Sequence, residues 1–213
     1  MTNAPKGLRL MIYDDTCRHG LLGGRGPIGL THSWIAGALL YKGLNRLDAS
    51  KGARSWEEAL DWLTRYRASE KVTEIQFWGH GKWGDARIGQ TRFNEASLLN
   101  GARLKPHLER LRTRLTPDSL FWFRTCETFG ANVGHSFACA LTDFLRCDSA
   151  GHTYIIGPWQ SGLHRLSPGE APHWDPAEGI EKGSIAAPKS ALWSKASAPN
   201  TISCLHGSIP PGF

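Results

Sequence analysis

Hydrophobic and polar positions along the chain change period several times, and each change marks an element. "LRLMIYD", residues 8 to 14, is a short apolar run ending in the acidic pair Asp14 and Asp15, which predicts a first strand. A glycine-rich loop follows, Gly20 to Gly29, and then "THSWIAGALLY", which satisfies neither the helical nor the strand period and leaves both open. "SWEEALDWLTRYRA" places Trp56, Ala59, Leu60 and Leu63 at helical spacing behind Ser55, with Glu58 three residues on as in a capping box. "VTEIQFWGH" alternates Ile75 and Phe77 with Glu74, Gln76 and Trp78, a strand that stops at glycines.

A second half repeats the alternation. Leu104, Leu108, Leu111 and Leu115 fall on one helical face, with the helix proper beginning near Lys105 or Pro106. "SLFWFRTC" is almost continuously apolar, as in a strand covered on both faces. Val133, Phe137, Leu141, Phe144 and Leu145 then mark one face of a helix, and "HTYIIG" reads as a further short strand. Alternating strands and helices predict an α/β fold: a three-layer sandwich with a mainly parallel central sheet and helices on both faces. The chain reads as a single domain, residues 1–213, with its core at about 8–157. Residues 158–213, rich in Pro, Gly, Ser and Trp, form a loop-rich excursion over the sheet ends with room for a short strand or two.

Composition agrees with an ordinary globular domain, with 40% hydrophobic and 21% charged residues. No charged stretch leads into a long apolar run at the N-terminus, and the longest apolar stretch, Trp34 to Tyr41, is far short of the roughly 20 residues that span a bilayer. A soluble, cytoplasmic protein without membrane contact is expected. Five cysteines lack close CxxC spacing, so reduced thiols are expected rather than a zinc site, and no cofactor or metal is called for. The net charge of +6 permits nucleic acid or an acidic partner, yet the basic residues are spread along the chain, and Arg103, Arg110 and Arg114 read as a solvated helix surface. A nucleic-acid partner is therefore not expected, and oligomeric state is not encoded in any pattern.

Candidate chemistry lies at two strand ends. Ligands of parallel α/β sheets bind outside the carboxyl ends of the strands. His80 follows one strand and Cys126 closes another, with one helix between, so an imidazole and a thiol can face each other across the crevice. Gly81 removes a side chain where a backbone N–H could point at an oxyanion, and the N–H of Cys126 could supply a second donor. The implied reaction is acyl transfer through a thioester, most simply hydrolysis of a peptide or protein substrate. Asp14, Asp15, Glu127, Trp159, Gln160 and Ser161 are positional candidates for substrate binding. Trp159 and Trp174 could line a peptide groove or tuck down a surface flap, and the other four cysteines, Cys17, Cys139, Cys147 and Cys204, read as bystanders.

"IQFWGHG" followed by a helix and "LFWFRTC" resembles the caspase-like (clan CD) cysteine peptidases, of the bacterial stand-alone type. The resemblance covers roughly residues 70 to 157 and extends by element order back to the first strand. It implies a caspase-like fold with His80 as the family's histidine and Cys126 as its nucleophile. "CETFGANVGHSFACAL" is similar to bacterial caspase-like domains. The chain departs from the caspase pentapeptide, because Cys126 is followed by Glu127 and Thr128. Glu127 would repel a thiolate or meet a basic substrate residue; the first case favours an inactive caspase-like binding or scaffolding module. Two weaker motifs compete. Gly24 to Gly29 matches G-x-G-x-x-G with Asp48 about 20 residues on, but it starts well after the strand and contains Pro27. Gly134 to Ala138 resembles a nucleophile elbow that would make Ser136 the centre of a serine esterase, but no strand leads directly into it.

Overall fold

The computed structural model describes residues 7–20 and 28–211. Most of the Gly24–Gly29 motif lies outside the described residues. In chain order the elements are β1 (Leu8–Asp14), α1 (Leu30–Gly43), β2 (Ala49–Ala53), α2 (Trp56–Arg65), β3 (Val72–Trp78), β4 (His80–Lys82), β5 (Asp85–Ile88), β6 (Thr91–Asn94), α3 (Lys105–Arg112), β7 (Leu120–Arg124), α4 (Ala131–Leu145), β8 (Asp148–His152), β9 (Trp159–Gln160), β10 (Leu163–Leu166), β11 (Ile180–Gly183), β12 (Pro188–Ala191) and β13 (Ile202–Ser203). The fold is α/β, built on a six-stranded sheet of order β10-β8-β7-β3-β1-β2. All pairings within it are parallel except β8 with β10.

Alternation along the strands sorts side chains between one large hydrophobic cluster and two smaller ones. Leu10 and Ile12 of β1, Ile75 and Phe77 of β3, and Phe121 and Phe123 of β7 pack with Trp56, Leu60 and Leu63 of α2, Leu108 and Leu111 of α3, and Phe137 and Leu141 of α4. Met11 and Trp78 instead meet Ala38 and Tyr41 of α1, while Trp122 meets Leu163 and Ile202 of the C-terminal segment. The ambiguous run 31–41 is thus a helix, and its weak amphipathicity fits a helix with only Thr31, Ala38 and Tyr41 fully buried. Helix α2 is capped as expected, with the Glu58 N–H donating to Ser55 Oγ at 3.2 Å.

Several expectations need correction. The last parallel strand is "DSAGH", not "HTYIIG": all five residues of β8 are buried, and Gly151 lies under the Phe129 ring, where an added Cβ would come within 2.7 Å. A strand so closely covered uses small residues rather than an apolar run. The polar edge strand β2 escaped notice because an edge needs no strict alternation. The β3 strand does not simply stop at the glycines; beyond Gly79 the chain enters a three-stranded meander, β4-β5-β6. Val133 is 49% exposed and leaves the buried stripe of α4 to Ala131, Gly134, Phe137, Ala138, Leu141 and Leu145. Arg114 is not solvated: it lies past the end of α3, is buried, and its guanidinium donates to the carbonyls of Leu63, Arg67 and Glu70 at the exit of α2. Beyond residue 157 the chain forms five short strands, and no helix among the described residues is long and apolar enough to cross a membrane.

Candidate functional site

Strand register positions the site. Trp78 pairs with Arg124 across the parallel β3–β7 ladder, so His80 and Cys126, each two residues further on, leave neighbouring strands at one level. Both line a cavity of about 510 Å³ at the carboxyl ends of the sheet, closed on one side by Trp34, Gly37 and Tyr41 of α1 and on another by Ile156, Pro158 and Leu205. Glycines make the turn between β3 and β4 possible. A Cβ on Gly79 would sit 2.4 Å from the Phe77 ring, and one on Gly81 would sit 2.6 Å from the Cys126 carbonyl oxygen and 2.2 Å from Thr128 Oγ1. The Gly81 backbone therefore lies directly against the segment carrying Cys126.

The imidazole of His80 has its hydrogen bond elsewhere. Its Nε2 lies 3.3 Å from Cys17 Sγ, and its ring meets Trp34 edge-on with centroids 5.8 Å apart. Among the described residues no hydrogen bond joins His80 to Cys126. Cys17, which the sequence leaves as a bystander, thus stands beside the candidate histidine. Its thiol also lies 3.8 Å from Asp14 Oδ2. Sequence reasoning had no route to this contact, because 63 residues separate Cys17 from His80.

Cys126 is mostly buried, and burial pushes its thiol up to about 11; the Ile156 N–H works in the opposite direction and the Glu127 carboxylate adds to the rise. Burial also pushes Glu127 up to about 7, with Lys82 the opposing charge. The Glu127 carboxyl is 7% exposed, its Oε2 has no hydrogen-bond partner, and its backbone is left-handed at φ 34°. Burial thus favours the protonated form of both the thiol and its neighbouring carboxyl.

The cavity floor is a residue the sequence did not single out. Arg124 ends the apolar run of β7 and is only 2% exposed. Its guanidinium lies 4.5 Å from the Trp78 ring and 4.4 Å from the Trp122 ring. It donates to Gln160 Oε1 at 3.0 and 2.7 Å, to the Tyr41 hydroxyl at 2.6 Å, and to the carbonyls of His206 and Cys204 at 2.8 and 3.3 Å. Two indole faces and a full set of acceptors hold a cation there without a carboxylate. A run of apolar residues ending in Arg, with Trp122 two residues before it on the same face, is the signal that could have found it.

The remaining candidates separate clearly. Gln160 lines the cavity through its bond to Arg124. Asp14 joins Cys17 and His80. Asp15 is turned to Arg18 at 2.6 Å. Ser161 is buried and used structurally, accepting from the Thr201 hydroxyl at 2.7 Å and donating to the Lys195 carbonyl. Trp159, 46% exposed, is not part of the cavity wall, because β9 pairs it with Ser203 at the surface. Trp174 is tucked down, stacked on Phe129 and His164 with its indole N–H on the Phe129 carbonyl. Ser136 lies within α4 and donates to Glu95, so no strand-to-helix elbow presents it. No protein-family model matches the chain, and comparison with curated proteins finds no match.

Proposed function

We propose that the chain is a cysteine hydrolase of the caspase-like peptidase type, a three-layer α/β sandwich in which Cys126 is the nucleophile and His80 the acid and base. The observation that carries this reading is the shared cavity reached by His80 and Cys126 from matching positions on adjacent parallel strands. In the reaction, Cys126 Sγ attacks the substrate carbonyl carbon and its proton passes to His80. The imidazolium returns that proton to the leaving amine, giving a thioester. Water then attacks the thioester, losing a proton to His80, and the carboxylic acid departs as the thiol re-forms. The close fit of Gly81 against Cys126 leaves backbone N–H groups as the oxyanion donors. The apolar cavity walls suit an extended peptide side chain, with Arg124 and Gln160 below it.

A second reading rests on the raised thiol. A Cys126 held near 11, beside a carboxyl and without an imidazole bond, fits a binding module that uses the same cavity without turnover. The experiment that separates the two is iodoacetamide labelling near neutral pH, mapped by mass spectrometry, on wild type, His80→Ala and Cys17→Ala. Hydrolase chemistry predicts labelling of Cys126 that falls in His80→Ala and rises in Cys17→Ala, where the competing thiol is gone. Labelling of Cys126 that is slow and indifferent to His80 favours the binding module. Labelling of Cys17 alone, lost in His80→Ala, would move the nucleophile to Cys17.

A further inference from the structure

Asp14, Cys17 and His80 converge from three places: the end of β1, the turn after it, and the start of β4. One ligand atom from each lies within 4.8 Å of the others, with Cys17 Sγ 3.3 Å from His80 Nε2 and 3.8 Å from Asp14 Oδ2. We propose that these three residues form a binding site for a zinc-class divalent cation, with a fourth coordination position left for water or an incoming ligand.

Geometry supports this first. A tetrahedral zinc with bonds of about 2.3 Å to sulfur, about 2.0 Å to nitrogen and about 2.0 Å to oxygen places sulfur about 3.5 Å from either of the other donors. The two sulfur distances straddle that value, and the Asp14 and His80 donors, within 4.8 Å of each other, would close toward about 3.3 Å as a cation enters. Thiolate, imidazole and carboxylate together select zinc over magnesium or calcium, which prefer oxygen ligands alone.

Charge is the second argument. Asp14 is only 1% exposed, and among the described residues it has no ion pair, since the neighbouring Arg18 is engaged by Asp15. Hydrogen bonds from Thr16 to Oδ1 and from the Gly89 N–H to Oδ2 at 3.3 Å offset part of the cost of burying its charge, and a cation would offset more. A divalent ion bound to a carboxylate and a thiolate balances both charges, the Cys17 proton passing to solvent as the metal binds.

The support around the ligands is already in place. Asp14 Oδ1 accepts from the Thr16 N–H at 2.8 Å and the Thr16 hydroxyl at 2.6 Å, which aims Oδ2 at Cys17. Thr31, at the start of α1, anchors the same turn by donating its N–H to the Cys17 carbonyl and its hydroxyl to the Asp14 carbonyl. Outer contacts of this kind fix ligand orientation. The site stands whether or not Cys126 is a nucleophile. If the hydrolase reading holds, on which this clause rests, metal on His80 removes the base and silences Cys126.

The test uses the full reduced chain, stripped of metal with a chelator and titrated with Zn(II) by calorimetry and with Co(II) by absorption spectroscopy. The expected result is one equivalent bound, with a thiolate-to-cobalt charge-transfer band and the intense d–d bands of tetrahedral Co(II). Cys17→Ser should abolish the charge-transfer band, and Thr16→Val should weaken binding by about 10- to 100-fold. Cys126→Ser and Cys204→Ser should leave both signals intact, and far-UV circular dichroism checks that each variant folds. Absence of stoichiometric binding, a band that survives Cys17→Ser, or one lost in Cys126→Ser overturns the assignment. None of these readouts depends on hydrolysis, so failure of the Cys126 chemistry is seen separately.

Discussion

Glu127 offers a quantitative handle on the site. Its carboxyl ordinarily titrates at 4.5 and is pushed up to about 7 by burial next to Cys126. Between those values the native state holds a proton that the unfolded chain has released, so stability falls as pH rises from about 4.5 to about 7 and is flat above and below. At ~1.36 kcal/mol per pH unit that interval sets a ceiling of about 3 kcal/mol. Solvent screening of a side chain that still senses Lys82 lowers the expected effect to about 1–2 kcal/mol. With an m-value of about 2–3 kcal/mol/M in urea, the unfolding midpoint should drop by about 0.5 M between pH 5 and pH 8 in wild type beyond any drop in Glu127→Gln. Glu127→Gln should also be the more stable protein at pH 8 and, lacking the neighbouring anion, should label faster at Cys126. Parallel pH profiles for the two proteins would refute the buried, protonated carboxyl. A profile of opposite sign would mean that Lys82 holds Glu127 as a carboxylate.

Three other substitutions probe the frame around the site. Gly81→Ala drives a methyl into the Cys126 carbonyl and Thr128, and should cost about 2 kcal/mol by urea unfolding while abolishing any His80-dependent labelling of Cys126. Arg114→Leu leaves the carbonyls at the exit of α2 without their donor and should destabilise by about 2–3 kcal/mol, with Arg114→Lys recovering only part because a point charge cannot fork among several acceptors. Ser136→Ala should change neither Cys126 labelling nor any peptide hydrolysis, and stability by no more than about 0.5 kcal/mol, since its hydroxyl serves only a surface contact with Glu95.

Where burial dictates sequence, the fold was legible. Ile75 and Phe77 face the larger core as their alternation implied, and the leucines from 104 to 115 are all buried. Where close packing or an edge position dictates sequence, periodicity failed: β2 is polar and β8 is built of small residues under Phe129. Gln76 shows a further limit. Alternation marks it as a polar, outward position, yet it is fully buried in a chain of hydrogen bonds linking Glu74, Trp78 and the Gly207 carbonyl. A sheet covered on both faces can hold polar side chains inside if they satisfy one another. At the site, His80 and Cys126 were legible as strand ends, whereas Cys17 needed the turn after β1 to fold back toward β4.

That convergence explains why an imidazole stands between two glycines. Gly79 and Gly81 leave no side chain to collide with Phe77 or with the Cys126 segment, so the backbone, rather than either thiol, fixes where the His80 ring emerges. The ring is then within reach of chemistry on two sides: Cys17 and the Asp14 carboxylate at the β1 end, and the cavity containing Cys126 at the β7 end. An imidazole nitrogen bonded to a metal cannot also accept a proton. If both proposals hold, occupation of the β1 side by a cation and use of the β7 side as acid and base would therefore exclude each other, because one exposed ring serves both.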